Sequence, residues 1–214
     1  MQKSIADKKA LIELWQGKLS KEVIDAFKRV PRESFVVPEL VELAYEDCPL
    51  PLLRGKTISQ PSTVLIMTAL LDMQPEMQVL ELGTGSGYQA AILAVLAGKT
   101  GQVITCEVIP ELVQFSRQNL EREGITNVKV IECDGSRGLP EQGMFDRIIL
   151  TCAAPDFPQP LINQLKEGGI IAGPLGSKQE QVLTVGKKNQ GRLERSLHGQ
   201  FVFLPLIGKF GFEE

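Results

Sequence analysis

Three glycines at alternate positions carry the clearest chemical signal in this chain. Gly83, Gly85 and Gly87 follow the strand-like stretch Val79-Leu80-Glu81-Leu82 and precede the apolar run Ala90 to Leu96, which is long enough for a helix. Buried strand, glycine turn and helix make up the first βα turn of a doubly wound sheet, where the backbone bends sharply and lets a ligand come close. Roughly 20 residues after the turn, Glu107 ends the next predicted strand, and a carboxylate there can accept both hydroxyls of a ribose. The pattern points to a nucleoside-bearing ligand. It departs from the dinucleotide fingerprint G-x-G-x-x-G: the third glycine comes one residue early, and Tyr88 stands where close helix–strand contact wants glycine. A second chemical position is Ser59. A helix is predicted over Pro61 to Leu71, with Pro61 near its first turn. Ser59 thus lies at a helix end whose free N–H groups favour an anion.

Other chemistries find little support. Cys48, Cys106, Cys133 and Cys152 form no C-x-x-C pair, so a zinc site is not expected. Cys106, Cys133 and Cys152 fall at or near predicted strand ends and read as small buried apolar side chains. A catalytic thiol wants a histidine nearby, and His198 is far along the chain. No metal is expected. The 214 residues suffice for one α/β domain with a full core and an added segment. A hydrophobic fraction of 43% and a charged fraction of 23% are those of a soluble globular protein. The net charge is −3, the pI about 5.4, and no lysine- or arginine-rich run exists. Nucleic acid is therefore not an expected partner, since phosphate binding needs a basic face. No apolar run approaches the ~18 residues of a membrane span, and the N-terminal MQKSIADKKA lacks the apolar region of a signal peptide. A cytoplasmic monomer that does not engage membranes is the expectation.

The elements that must position these residues can be read in order. Helical spacing of Ala10, Leu11, Leu14 and Trp15 predicts a helix over Ala6 to Trp15. Ser20 reads as the N-cap of a second helix with Val23, Ile24 and Phe27 on one face. Residues 31–59 are irregular, with Pro31, Pro38, Pro49, Pro51 and Gly55 among them, and a long irregular connection is usually functional. Strands are predicted near Gln78–Glu81, Gln102–Glu107, Val128–Glu132, Arg147–Thr151 and Ile170–Gly173. Helices are predicted near Tyr88–Ala97, Pro110–Glu123 and Pro158–Leu165. This alternation argues for a parallel sheet with right-handed crossovers. Beyond Gly176 the strands Gln181–Lys187 and Leu193–Leu206, with a turn at Asn189-Gln190-Gly191, predict an antiparallel end to the sheet. The reading is one α/β domain over residues 1–214: an N-terminal helical and lid segment (1–60), a Rossmann-like ligand-binding core (61–176) and C-terminal strands (177–214).

The stretch VLELGTGSGYQ resembles motif I of the class I S-adenosylmethionine-dependent methyltransferases. Further segments narrow the likeness. They are Arg29-Val30-Pro31-Arg32-Glu33 through Phe35, Leu43-Ala44-Tyr45-Glu46-Asp47 with Pro49-Leu50-Pro51, Gly55-Lys56-Thr57-Ile58-Ser59-Gln60-Pro61, and Phe203-Leu204-Pro205-Leu206-Ile207-Gly208. With motif I they resemble the protein-L-isoaspartate O-methyltransferase family, from about Val23 to the end. After Ser-Gln-Pro that family usually has an aromatic residue or histidine, whereas this chain has Ser62 and Thr63.

The resemblance implies transfer of a methyl group from S-adenosylmethionine to the α-carboxylate of L-isoaspartyl residues in damaged proteins, the ester then closing to a succinimide. Isoaspartyl proteins and peptides are the implied partners. A carboxylate of ordinary pKa, near ~4, is ionised at neutral pH and attacks without a general base, so a site without a histidine or lysine suits this reaction. Gly83, Thr84, Gly85 and Gly87 are expected around the methionine part of the cofactor, and Glu81 faces that site or a structural partner. Glu107 is expected at the ribose, Val108 against the adenine, and the Asp134-Gly135 pair also at the adenine. Thr57, Ile58, Ser59 and Gln60 match the segment that closes over cofactor and substrate, with Ser59 as the catalytic residue that orients the carboxylate by its hydroxyl. Leu204, Leu206 and Ile207 are expected to meet the substrate peptide in the manner of an added strand. The alternatives are an S-adenosylmethionine-binding module without isoaspartyl activity, or an O-methyltransferase for another carboxylate. A metal-dependent O-methyltransferase would need carboxylates after the fourth and fifth core strands, and Gly173 to Gly176 offers none. An adenine N-methyltransferase would need Asn/Asp-Pro-Pro-aromatic where this chain has Thr151 to Asp156.

Overall fold

The computed structural model describes residues 7–213. Asp7 caps the first helix, α1 (Lys8–Trp15), by accepting the Lys9 N–H at 2.9 Å; Ala6, where that helix was expected to start, lies outside the described residues. Ser20 caps α2 (Lys21–Arg29) through the Val23 N–H, and Val23, Ile24, Ala26 and Phe27 are buried. Short 3₁₀ turns follow, then a two-stranded ribbon, β1 (Leu50–Pro51) with β2 (Thr57–Ile58), then α3 (Pro61–Leu70). The alternating part runs β3 (Gln78–Leu82), α4 (Tyr88–Ala97), β4 (Gln102–Glu107), α5 (Pro110–Arg122), β5 (Val128–Glu132), β6 (Phe145–Leu150), α6 (Gln159–Gln164) and β7 (Leu165–Gly176). It ends in the hairpin of β8 (Gln181–Asn189) and β9 (Arg192–Phe201).

The seven strands β3 to β9 form one sheet in the order β5-β4-β3-β6-β7-β8-β9. The first five in that order are parallel, and β7–β8 and β8–β9 pair antiparallel, giving the mixed sheet expected. Side-chain alternation divides β3 between two cores. Val79 packs with Met67 of α3, Leu71 just after it and Leu93 of α4, while Leu80 and Leu82 pack with Leu161 and Leu206 on the other face. The helix α4 is apolar all round because it is covered on both sides: the sheet lies beneath it, and α2 and the 3₁₀ turns form a further core with Ala91 and Ile92.

The chain leaves β3 toward β4 and β5 and returns to place β6 on the other side of β3. The carboxyl ends of β3 and β6 therefore flank the point where the strand order reverses, which is where open α/β sheets hold ligands.

Two boundaries differ most from expectation. The strand β7 runs from Leu165 through Gly168 and Gly169, longer than Ile170–Gly173, because β8 pairs with it from Ile170 to Gly176 and β6 pairs with it at Leu165. The last strand stops at Phe201 instead of Leu206. Leu204 and Leu206 turn back and bridge Ala153, whose N–H and C=O take the Leu204 carbonyl at 2.8 Å and the Leu206 N–H at 2.7 Å. Pro205, between them, has no N–H to continue a ladder. The hairpin turn lies where expected, with positive φ at Gln190 and Gly191.

Candidate active site

Gly83 directly follows β3, and Thr151 directly follows β6. Gly83 has φ +97°, and a Cβ there would come within 2.7 Å of Thr151 Oγ1. The Thr151 hydroxyl donates to the Gly83 and Leu82 carbonyls, at 2.6 and 2.8 Å. This side chain thereby seals the back of the glycine turn. Three cavities open around the pair. One is lined by Gly83, Gly85, Glu107, Val108, Gly135 and Leu206, among others. A small one is lined by Ser59, Glu81, Thr84, Gly85 and Tyr88, among others. The third is a wide groove bordered by Ser59, Gln60, Thr63, Gln181, Val202 and Phe203. Thr57 and Thr151 border all three. Thr151 was not singled out as a site residue from sequence; its place immediately after the strand at the reversal point was the signal available.

The predicted residues divide among these cavities. Gly83, Gly85, Val108 and Gly135 reach the first, and Ile58 and Thr84 the second. Gln60 lies on the wide groove, not on either of the other two. Leu204 borders both the first cavity and the groove, whereas Leu206 and Ile207 line the first cavity only. Gly87 lines none: it caps α4 with φ +86°, and a Cβ there would press on Ser116 and Leu120 of α5 at 3.3 and 3.4 Å. Its smallness serves helix packing. Cys106, Cys133 and Cys152 form part of the wall of the first cavity, and the Phe203 N–H is taken by Gln181 Oε1.

Glu107 is buried, and its carboxylate braces the turn. Oε2 accepts the Gly85 N–H at 3.0 Å, and Oε1 accepts those of Val108 and Ile109 at 2.9 and 3.1 Å. A carboxylate has about four acceptor positions, so about one remains for a ligand. Glu81 lies on the face of β3 toward α3 and is fully buried. Its Oε2 accepts the Thr105 hydroxyl at 2.6 Å, and its Oε1 has no partner among the described residues. Burial pushes the Glu81 carboxyl up to about 8 against the effect of the Thr105 bond. Asp134 borders none of the three cavities, and its oxygens are engaged by Ser136, Arg137 and Lys209.

Ser59 is half-buried, and among the described residues its hydroxyl makes no hydrogen bond. Its backbone is held from below. Arg32, fully buried, donates from Nη2 to the Ser59 carbonyl at 2.8 Å and from Nη1 to the Ala44 carbonyl, and its guanidinium stacks over Tyr88. The end of α3 differs from expectation. Its anion position is filled from within the chain by Asp47, which accepts the Ser62 N–H at 2.9 Å and the Ser62 hydroxyl at 2.6 Å. Trp15 Nε1 donates to the same hydroxyl at 2.8 Å. Ser62 thus serves to dock α1 and cap α3, and Thr63 is the neighbour that reaches the groove.

The geometry is that of a ligand cavity and a peptide-sized groove meeting at one wall. Known proteins resemble the chain in sequence and fold. A family model for protein-L-isoaspartate(D-aspartate) O-methyltransferase (PCMT) matches residues 6–211. A protein-L-isoaspartate O-methyltransferase of Methanothrix thermoacetophila is 47% identical over 97% of this chain and 98% of its own. Its namesake in Pyrococcus horikoshii is 42% identical over 97% of this chain and 99% of its own. A solved protein-L-isoaspartate O-methyltransferase has a TM-score of 0.86 at 29% identity, covering 96% of this chain and 67% of its own. A Plasmodium falciparum β-aspartate methyltransferase (PCMT), solved in complex with S-adenosyl-L-homocysteine, has a TM-score of 0.83 at 25% identity, covering 94% and 98%. The chain belongs to the protein-L-isoaspartate(D-aspartate) O-methyltransferase family.

Proposed function

We infer that this chain methylates the α-carboxylate of L-isoaspartyl residues in proteins and peptides, with S-adenosylmethionine as methyl donor. The observation that carries the reading is the junction at Thr57 and Thr151, where the glycine-turn cavity meets the wide groove beside a serine hydroxyl free to bind substrate. The residues fit the donor. Gly83 forms a cradle that a side chain would fill, Glu107 keeps an acceptor position for a hydroxyl, and the orphan oxygen of Glu81 suits an ammonium group. When bound, the donor supplies a methyl group on a positively charged sulfur.

The chain's own residues do the rest by positioning. Ser59 donates its hydroxyl to one oxygen of the isoaspartyl carboxylate and leaves the other free to attack. No residue need remove a proton, because the carboxylate is already ionised at neutral pH. Arg32 holds the Ser59 carbonyl and so fixes the backbone from which that hydroxyl projects. Thr151 and the apolar Leu204 wall the junction. The groove receives the extended peptide beside Val202 and Phe203. The reading takes the protein to act as a cytoplasmic monomer. Among the described residues no helix is long and apolar enough to cross a membrane.

Labelled methyl transfer to an isoaspartyl peptide and to its aspartyl twin tests the reading. Label is expected in the first peptide only; transfer to neither, with intact donor binding, would reduce the chain to a binding module.

Glu81 adds a pH signature. A carboxyl raised to about 8 is mostly protonated at neutral pH, and a cationic group binds its ionised form better. Donor binding should therefore release protons below about pH 8, and affinity should climb as pH rises toward that value. Calorimetry in two buffers of different ionisation enthalpy measures the release, and Glu81→Gln should abolish it. An identical proton count in the variant would place the ionisation elsewhere.

A further inference from the structure

We propose that Asp134 and Ser136 latch the C-terminal strap, Leu204 to Phe212, onto the cofactor cavity as one of its walls, and that Asp134 controls cofactor release through this strap. The proposal rests on the functional reading above.

The strap leaves β9, bridges Ala153 and passes the cavity, where Leu204, Leu206 and Ile207 stand among the lining residues. It is then tied down far away in sequence. Asp134 Oδ2 accepts the Lys209 N–H at 2.9 Å and Arg137 Nε at 3.1 Å. Asp134 Oδ1 accepts the Ser136 N–H at 3.1 Å and the Ser136 hydroxyl at 2.6 Å, and the oxygen of that hydroxyl accepts the Phe210 N–H at 3.1 Å. Two consecutive strap amides are thus bound to one carboxylate, one directly and one through a fully buried serine.

The close fit at Gly208 belongs to the same latch. A Cβ there would run into Asp134 Oδ1 and come within 2.8 Å of Ser136 Oγ. The four protein donors use the about four acceptor positions of a carboxylate. The influence of Asp134 on a ligand therefore runs through the strap it holds. A wall fastened by a few hydrogen bonds near the surface opens locally with less free energy than the core strands, and a ligand behind it leaves at the rate of that opening.

Lys209→Pro removes the N–H donor and leaves every atom of Asp134 in place; Asp134→Asn puts a donor among the donors. The measurements are the dissociation rate of S-adenosylhomocysteine and hydrogen exchange at the amides of Leu206, Phe210 and Phe212 in the free protein. Each variant should release the ligand about tenfold faster, the scale of one hydrogen bond to a charged group, and exchange the strap amides faster. The double variant should release it no faster than the quicker single one. Ser136→Ala, which removes the acceptor of the Phe210 N–H and the hydroxyl donor to Asp134 Oδ1 but leaves the Lys209 N–H bound to Asp134, should do the same in smaller measure, and it carries the test if Lys209→Pro folds poorly. Faster strap exchange with an unchanged dissociation rate would overturn the proposal, as would a loss of affinity in Asp134→Asn with unchanged strap exchange. Wild-type protein that binds no S-adenosylhomocysteine would instead overturn the functional reading.

Discussion

Ser59→Ala should slow methyl transfer to an isoaspartyl peptide by about 10²-fold in a single turnover, while cofactor affinity changes by less than about threefold. The backbone at this position does not depend on the side chain. Arg32 holds the Ser59 carbonyl, and the neighbouring Thr57 and Ile58 pair with Pro51 and Leu50 in the ribbon. Alanine therefore removes one hydroxyl and little else. Among the described residues that hydroxyl has no protein partner, so its loss leaves no buried group unsatisfied and should cost little stability.

The substrate carboxylate cannot rely on the end of α3 for orientation, because Asp47 already fills it. Orientation rests more heavily on Ser59 as a result, and a small misplacement of the attacking oxygen is costly in rate. The aspartyl twin should stay unmethylated, since the change opens no new binding mode. Single-turnover transfer beside a cofactor titration decides. Equal losses in both would make Ser59 a cofactor residue, and no loss in either would shift orientation to Thr57 or to backbone groups.

Glu107→Ala should weaken cofactor binding by about 10- to 100-fold, from the loss of a charged acceptor worth roughly 1.5–3 kcal/mol. The carboxylate does two jobs at once. It ties Gly85, in the glycine turn, to Val108 and Ile109 at the end of β4, and it keeps about one acceptor position toward the cavity. Alanine would free three backbone N–H groups and loosen the turn as well as remove the ligand's partner. Calorimetric titration with S-adenosylhomocysteine gives the affinity, and a thermal melt of the same sample separates loosening from unfolding. Unchanged affinity in a folded variant would remove Glu107 from the binding site.

What the sequence determined by itself is the part of the molecule whose causes are local. The run from Gln78 to Glu107 has its strand, turn, helix and strand where apolar periodicity and glycine spacing put them, because each is decided by residues a few positions apart. Ser20 as a cap and Gln190-Gly191 as a hairpin turn are of the same kind. The family resemblance added the segment around Ser59, which reaches the junction of cavity and groove.

Only the tertiary structure decided the contacts made across long stretches of chain. Asp47 caps α3 from 15 residues upstream, Trp15 reaches Ser62 across 47, Thr151 closes on Gly83 across 68, and Lys209 meets Asp134 across 75. None of these partners has a local signature. A serine, an aspartate or a backbone N–H reads the same in a solvated loop as in a latch. The return of β6 to the side of β3 brings Thr151 onto Gly83, and the return of the strap brings Lys209 onto Asp134. Gly87 shows the limit most sharply. Its spacing placed it with the ligand glycines, yet the packing of α4 on α5 made it a helix contact, because spacing along a chain does not say which neighbour will press on it.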